Sequence, residues 1–424
     1  MCIHRKNKSL KAENSMKKLI SALLLVSVIA SLESCSMLGV RKTGDGAGRT
    51  DDPAKTSTVH TTDAPQTTEP PVTEPLYDPA KVSFIGCGDN IIYYGNVREA
   101  AGKSDSGRAY GFKYSYEHVA DIISSADVAF INQETLMCGD GYELSYYPNF
   151  NSPQDLGYDL IDLGFDVVNI ANNHMLDQTG SGLEHTIEFW QGMPVLMIGG
   201  YTSEEDYNTP RYLESNGLKI AFLSYTYGTN GYTLSNNYNA WVPYLSEDDI
   251  RRQTAAAREN SDVLIVSVHW GIEGAFAPSD EQKNYARIMA ECGVDVIVGH
   301  HPHVIQPVEW ISRPDGGRTL CVYSLGNFMA EQAFDYNMVG GIISFDLMRD
   351  ERGNVSIESP LFIPTVFHFN SSFYNNQIWP MESYTADMAA SHGISAYGRH
   401  TSLDTLKKYV TDTVAPEFLP GFLK

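Results

Sequence analysis

The chain has 424 residues, of which 42% are hydrophobic and 19% are charged, the proportions of a globular protein that can bury a substantial core. Its formal net charge of -22 at pH 7 disfavours nucleic acid and anionic lipid surfaces as partners, because both would repel it. The cysteines include no Cys-x-x-Cys pair, which excludes a zinc ribbon by spacing.

Residues 1–35 have the pattern of a secretory signal. From Met16, an alternative start to Met1, two lysines precede an apolar run over residues 19–32, which is too short to span a membrane comfortably. Cys35 follows Leu-Glu-Ser, an arrangement similar to a bacterial lipobox, in which the cysteine is acylated. We expect a lipid anchor at the extracytoplasmic face of the cell membrane, with an ordinary signal peptide or an uncleaved anchor as the alternative.

Residues 36–79 are predicted to form a disordered linker. The segment is rich in Thr, Pro, Asp and Gly, and it has too few large apolar residues to offset the entropy of ordering. We expect it to hold a folded domain, residues 80–370, away from the membrane or through a cell wall. Residues 371–424 are expected to form a C-terminal extension that packs on this domain.

Short apolar strands alternate with helices after the linker, which predicts an α/β domain. The predicted strands cover residues 82–86, 128–131, 167–170, 218–225, 263–268, 294–298, 320–324 and 341–347, with more strand within 355–369. The predicted helices cover residues 112–124, 153–163, 181–190, 247–259, 280–291 and 401–410.

Polar or ionisable residues follow five of these strands at once. They are Asp89, Asn132 with Glu134, Asn172 to His174, His269, and the Gly-His-His-Pro-His segment at 299–303. Because ligands of open α/β sheets bind beyond the carboxyl ends of strands, these clusters are expected to converge on one site. Imidazole is a common ligand of Zn, Mn and Fe, so the pattern predicts a metal site.

The histidines of residues 299–303 would supply nitrogen ligands to the metal, and Asp89 and Glu134 would supply negative charge. His301 and His303 are two positions apart on a turn restrained by Pro302, so both can face one ion. Glu134 could bridge two divalent ions and reduce their mutual repulsion. The plainer alternatives are surface histidines and, for Asp89, a helix or turn cap.

The remaining candidates are the asparagine Asn173 and the histidines His174 and His269. Asn173 could bind a metal through its side-chain oxygen, while His174 stands just outside the ligand shell and donates a proton to a leaving group. Asp177 could orient His174. The alternatives are turn chemistry for the asparagine and a core or capping role for His269.

The order of these motifs resembles the CapA/PgsA family of bacterial poly-γ-glutamate capsule synthesis proteins. The matching segments are Gly88-Asp89, Asn132-Gln133-Glu134, Asn172-Asn173-His174, His269-Trp270-Gly271, residues 299–303 and Ser324-Leu325-Gly326-Asn327-Phe328. That family is similar to the calcineurin-like metallophosphoesterases, so the resemblance implies a four-layer α/β/β/α sandwich. It also implies one or two divalent ions (Mn, Fe or Zn), with His174 as general acid and His300 outside the ligand set. The implied ligands are Asp89, Glu134, Asn173, His269, His301 and His303.

Two motifs depart from the superfamily pattern. The first motif is usually Asp-x-His, but Asn90 and Ile91 follow Asp89, so one imidazole ligand is missing. The second is usually Gly-Asp-x-x-Asp, and residues 132–134 read Asn-Gln-Glu instead. One metal position is therefore expected to be weak or empty, which disfavours ordinary phosphoesterase activity.

The resemblance implies a role in synthesis, export or processing of poly-γ-glutamate or a similar anionic surface polymer, with the polymer and membrane synthase subunits as partners. A catalytic protein would carry out metal-assisted hydrolysis or transfer. The alternatives are a non-catalytic polymer- or partner-binding component of the synthase and an extracellular metallophosphatase. The chain has neither a P-loop nor a Gly-x-Ser-x-Gly elbow to support an ATP-dependent ligase or a serine hydrolase. Glu331, beyond the last motif, could line the rim of the site, but we expect a solvated acidic residue.

Overall fold

The computed structural model describes residues 77–424, so the predicted signal segment, the lipobox-like cysteine and nearly all of the predicted linker lie outside the described residues. Within residues 77–424, no helix combines the length and the apolar character needed to cross a membrane.

Strands and helices alternate along most of the described chain. The strands are β1 (Ala80–Asn90), β2 (Val128–Gln133), β3 (Val167–Asn169), β4 (Leu196–Ile198), β5 (Arg211–Ser215), β6 (Leu218–Thr226), β7 (Val263–His269), β8 (Val296–His300), β9 (Val308–Ser312), β10 (Arg318–Val322), β11 (Asn327–Met329), β12 (Val339–Arg349), β13 (Val355–His368) and β14 (Gln377–Pro380). The α-helices are α1 (Tyr94–Ala100), α2 (Lys113–Tyr116), α3 (Ala120–Ser124), α4 (Asp155–Leu163), α5 (Thr179–Gln191), α6 (Glu204–Tyr207), α7 (Glu247–Arg258), α8 (Asp280–Glu291), α9 (Ala386–Ala390) and α10 (Leu403–Thr413).

The strands form two mixed sheets. The first sheet has eight strands in the order β14-β13-β12-β1-β2-β3-β4, and β11 pairs with β1 beside this path. Strands β1 to β4 and β11 run parallel to one another. Strand β12 is antiparallel to β1, β13 is antiparallel to β12, and β14 is antiparallel to β13. The second sheet has six strands in the order β5-β6-β7-β8-β10-β9, with antiparallel strands only at its two edges.

The side-chain alternation of the second sheet explains the layers of the domain. Phe222 and Ile265 belong to the core that this sheet shares with the first one. Their neighbours Leu223 and Val266 face the opposite way and pack with helices α7 and α8. Leu160 of α4 and Leu183 of α5 belong to the apolar core that contains the first sheet. The result is a four-layer α/β/β/α sandwich, which confirms the predicted fold class.

Two of the differences from the sequence prediction concern the helix predicted at 112–124 and the boundary predicted at residue 370. The single helix predicted over 112–124 is divided into α2 and α3, although the apolar residues on its inner side remain buried through the break. Strand β14 pairs with β13, so the first sheet continues past residue 370. Helix α10 then adds Leu406 and Val410 to the core.

The predicted site segments lie where parallel strands end. Strand β1 ends at Asn90, β2 at Gln133, β3 at Asn169, β7 at His269 and β8 at His300. Strands β1 and β8 contact each other across the sandwich. The carboxyl ends of the parallel strands in both sheets therefore meet at one edge of the domain, where a ligand can be held between the sheets.

Candidate metal centre

Asp89, near the end of β1, is fully buried and joins the first sheet to the histidine turn. Its Oδ1 lies 3.3 Å from His300 Nδ1, and its Oδ2 lies 3.4 Å from His303 Nδ1. The backbone N–H of His301 donates to Oδ2 at 3.1 Å, and Asn132 Nδ2 donates to Oδ1 at 2.8 Å. These contacts fix the carboxylate among three histidines.

Glu134 follows β2 and is fully buried, yet neither of its carboxylate oxygens has a hydrogen-bond partner. Its Oε1 lies 3.7 Å from His269 Nε2 and 3.8 Å from His303 Nε2. These distances are too long for hydrogen bonds. A buried carboxylate without partners is costly, and a cation shared with the two imidazoles would remove that cost.

The other polar atoms of the centre support the same interpretation. Asp89, Glu134 and His303 offer ligand atoms that lie within 4.8 Å of one another. Nδ1 of His301 and both ring nitrogens of His300 are buried without a hydrogen-bond partner. Such atoms are rare in folded proteins. Carboxylate oxygens together with imidazole nitrogens form a donor set that fits Mn, Fe or Zn.

Burial and neighbouring charges shift the pKa values of the residues in this centre in different directions. Burial would raise the pKa of Asp89, but the adjacent imidazoles of His300 and His303 hold that pKa well below its ordinary value. Burial raises the pKa of Glu134 well above its ordinary value and lowers the pKa of His301 to about 3. Burial also opposes the charge on His303, but Glu134 and Asp89 outweigh it and raise the pKa of His303 to about 9. The carboxylates of Glu134 and Asp89 thus favour a positively charged neighbour in the centre.

Asn173 presents its side-chain oxygen to the centre. Its Oδ1 lies 2.9 Å from His269 Nε2, and its Nδ2 donates to Asn230 Oδ1 at 3.1 Å. The ring of His269 lies 4.8 Å from the ring of His301, measured between centroids. The structure therefore brings together all six residues that the resemblance implies as ligands.

His174 and Asp177 form a pair beside this group. His174 Nδ1 lies 2.7 Å from Asp177 Oδ2, which also accepts a hydrogen bond from the backbone N–H of Phe150 at 2.7 Å. The Phe150 ring packs nearly perpendicular to the imidazole, at 4.8 Å between centroids. This arrangement fixes the ring through Nδ1 and leaves Nε2 as the atom that can transfer a proton.

Two residues outside the predicted ligand set also lie in the centre. Glu273 forms a second group of possible ligands with His301 and His303. Its loop is tied to the histidine turn because Gly274 N donates to the Pro302 carbonyl at 2.8 Å. The only sequence signal for Glu273 was its position four residues after a predicted ligand. His300, which the resemblance leaves outside the set, is buried beside Asp89.

A cleft of about 570 Å³ opens beside His303. Its lining is aromatic and acidic and includes Tyr93, Tyr147, Phe334, Tyr336, Glu273 and Glu331. Among the residues that the structure describes, no Lys or Arg lines this cleft. The cleft therefore presents carboxyl groups and aromatic rings beside His303.

The expectation that Glu331 is solvated was wrong. The residue is only 9% exposed, and its Oε2 accepts a hydrogen bond from Gly95 N at 3.1 Å, in the first turn of α1. Burial raises the pKa of Glu331 to about 7. The free backbone N–H groups at the start of the helix explain why a carboxylate is buried there.

The family model for the bacterial capsule synthesis protein PGA_cap matches residues 83–332, more than half of the chain. The chain belongs to this family. Membership confirms the resemblance seen in the motifs, and the PGA_cap match includes every predicted ligand from Asp89 to His303.

Several relatives of this PGA_cap protein carry names from capsule synthesis. The PGA biosynthesis protein CapA of Bacillus subtilis is 31% identical over 200 residues, which are 47% of this chain and 51% of that protein. The capsule biosynthesis protein CapA of Bacillus anthracis is 26% identical over 246 residues, 56% of this chain and 59% of that protein. A probable polyglutamine synthesis accessory protein of Mycobacterium tuberculosis is 26% identical over 234 residues, 52% of this chain and 59% of that protein. The matches thus span little more than half of each relative.

Solved structures with a similar course of the chain include two nucleotidases. The NAD nucleotidase of Haemophilus influenzae has a TM-score of 0.41 and 12% identity, covering 81% of this chain and 64% of that one. A 5'-nucleotidase precursor from Thermus thermophilus has a TM-score of 0.40 and 13% identity, covering 78% of this chain and 59% of that one. Likeness at this level does not establish a shared activity.

Proposed function

We propose that this PGA_cap protein is lipid-anchored at the extracytoplasmic face of the membrane and acts there on poly-γ-glutamate or a similar anionic surface polymer. Its role would be in synthesis, export or processing of the polymer, as a metal-dependent hydrolase, with membrane synthase subunits as partners. Family membership and the names of the relatives support the polymer role. The hydrolase role rests on one observation, the buried carboxylate of Glu134, which has no hydrogen-bond partner and lies between His269 and His303.

The residues of the centre have separable tasks in this proposal. The predicted ligands would hold one or two divalent ions, which would polarise the bond to be cleaved and help to activate water. Asp177 holds His174 through Nδ1, so that Nε2 can carry a proton to the leaving group. In the hydrolysis of a γ-linked amide, the oxygen of water bonds to the carbonyl carbon, the C–N bond breaks, and the leaving nitrogen takes the His174 proton. The proton that water loses passes to solvent, from which His174 is protonated again.

One observation favours a second candidate function. Ile91 is buried where the superfamily's first motif has a histidine, so one imidazole ligand is absent. The centre could then hold its metal for structure alone, and the domain would bind the polymer or a synthase subunit without cleaving either. A metallophosphatase acting on an extracellular phosphoester is a third candidate.

A polymer-cleavage assay tests the hydrolase role. Full-length protein with Mn²⁺ is expected to shorten poly-γ-glutamate, as measured by size-exclusion chromatography. The double variant His301→Ala and His303→Ala should reduce cleavage to background, because it removes two of the imidazoles around the centre. The matched control is His185→Ala with His400→Ala, since both of these histidines are exposed.

The remaining outcomes of this assay separate the candidates. Metal binding without cleavage of the polymer or of a generic phosphodiester would contradict the hydrolase role and favour the binding component. Cleavage of the phosphodiester alone would favour the metallophosphatase. If the wild-type protein binds no Mn²⁺, Fe²⁺ or Zn²⁺, every metal-dependent form of the proposal fails.

The proposed anchor predicts a change of cell fraction. Wild-type protein is expected in the membrane fraction, and Cys35→Ala is expected to move most of it to the soluble extracytoplasmic fraction, because the acylated residue is lost. Immunoblots of separated fractions measure this, together with incorporation of a labelled fatty acid. Cys2→Ala is the matched control, since Cys2 precedes the alternative start at Met16. Retention of the Cys35→Ala protein in membranes without the label would contradict the anchor.

A further inference from the structure

The loop at residues 227–232 leaves the second sheet after β6 and reaches the metal centre. Its beginning is fixed because Tyr227 N donates to the His269 carbonyl at 2.9 Å. Asn230 and Gly231 adopt left-handed backbone conformations, with φ of +51° and +81°. Asparagine and glycine tolerate this region better than other residues. The loop thereby places an otherwise exposed Asn230 against the residues that follow β3.

The contact between Asn230 and Asn173 has a direction. A primary amide has an acceptor oxygen at one end and a donor nitrogen at the other. Asn173 Nδ2 donates to Asn230 Oδ1 at 3.1 Å, while Asn173 Oδ1 lies 2.9 Å from His269 Nε2. Rotating the Asn173 amide by half a turn would direct N–H groups at the centre and oppose two oxygens at Asn230. While Asn230 presents its oxygen to Asn173, as it does in the structure, it favours the orientation in which Asn173 offers an oxygen to the centre, the atom that a cation needs.

Asn230 also touches His174, but that contact is not a directed bond. Asn230 Nδ2 lies 3.4 Å from His174 Nδ1, whereas Asp177 Oδ2 lies only 2.7 Å from the same ring nitrogen. When Nδ1 donates to the carboxylate, it has no lone pair left to accept from an amide. The Asn230 side chain thus packs against His174, and its directed hydrogen bond is the one with Asn173.

We propose that Asn230 is a positioning residue of the metal centre, which keeps the Asn173 side-chain oxygen directed at the bound cation. This inference rests on the proposed metal-dependent function. The physical reason is general: hydrogen-bond partners orient metal ligands, and removing one typically weakens metal affinity or activity roughly 10- to 100-fold. Asn173 follows a strand of the first sheet, and Asn230 lies on a loop that follows a strand of the second sheet. The metal site therefore depends on contacts between segments of both sheets.

Two substitutions of Asn230 in the full-length protein separate the side chain from the backbone. Asn230→Gly removes the amide and keeps the left-handed backbone free of strain. We expect it to weaken Mn²⁺ affinity roughly 10- to 100-fold, as measured by calorimetry and by electron paramagnetic resonance of free Mn²⁺. Asn230→Asp keeps an acceptor oxygen for Asn173 and should restore most of the affinity. Asn237→Gly, at an exposed position five residues beyond this loop, is the matched control and should bind as the wild type does.

Each other outcome decides against part of the proposal. If Asn230→Gly binds Mn²⁺ as tightly as Asn237→Gly, the positioning role is overturned while the metal-dependent function stands. If Asn230→Asp is as weak as Asn230→Gly and both remain folded by circular dichroism, the acceptor oxygen is not the decisive feature and the role is again overturned. If the wild type itself binds no divalent metal, this inference and the proposed function both fail.

Discussion

Adding Mn²⁺ to the metal-free full-length protein is expected to raise its midpoint of thermal unfolding by about 5 °C, and Glu134→Gln is expected to abolish that rise. A ligand at 100 times its Kd stabilises the folded state by about 2.7 kcal/mol. For a domain of this size, each kcal/mol raises the midpoint by about 2 °C. Both oxygens of Glu134 are buried without a hydrogen-bond partner, so a bound cation would supply the close contact that this carboxylate lacks.

The substitution isolates that carboxylate. Glutamine keeps the shape of the side chain and removes its charge and one ligand oxygen. It breaks no hydrogen bond, because Glu134 makes none through its side chain, so the metal-free midpoint should change little. Glu358→Gln, at an exposed position, is the matched control and should retain the full response to Mn²⁺. Differential scanning calorimetry with and without the metal measures both effects. An equal rise in wild type and Glu134→Gln would show that Mn²⁺ binds elsewhere.

The long buried strands of the fold could be predicted from the sequence, because strands buried on both faces form continuous apolar runs. The run at 263–268 corresponds to β7 and lies inside its bounds of Val263–His269. The short strands β5, β9 and β14 were missed, since their residues are only partly buried and they exist through pairing with a neighbour. The break between α2 and α3 could not be predicted from the sequence either, because the apolar residues keep helical spacing on its buried side.

The candidate site was predictable to the extent that its residues lie directly after strands. Asp89, Glu134 and His303 meet because parallel strands of both sheets end at one edge. Glu273 and Asn230 lie on loops without hydrophobic periodicity, and hydrogen bonds between distant segments bring them to the centre. Sequence spacing contains no information about such bonds. The sequence therefore indicated residues in the segments that directly follow strands, whereas Glu273 and Asn230, placed by contacts between loops, were not predicted.

Replacing His174 by alanine is expected to lower turnover of a susceptible substrate about 10²- to 10⁴-fold, the usual contribution of a general acid. Mn²⁺ affinity should change much less, because the short ionic contact of His174 among the described residues is with Asp177, not with the carboxylates of the centre. Asp177→Asn should lower turnover roughly 10- to 100-fold, since an amide can no longer fix the ring through the same charged hydrogen bond. His185→Ala, which removes an exposed histidine, is the matched control.

The leaving group provides the sharper test of this role. A general acid matters most when the departing atom is a poor leaving group, such as an alkoxide or an amide nitrogen, and least when that atom leaves readily as an anion, such as p-nitrophenolate. The loss of turnover in His174→Ala should therefore be large for an alkyl ester or a γ-linked amide and small for a p-nitrophenyl ester. Equal losses for both kinds of substrate would mean that the ring assists another step. In that case its 2.7 Å contact with Asp177 would serve to position substrate or water and not to deliver a proton.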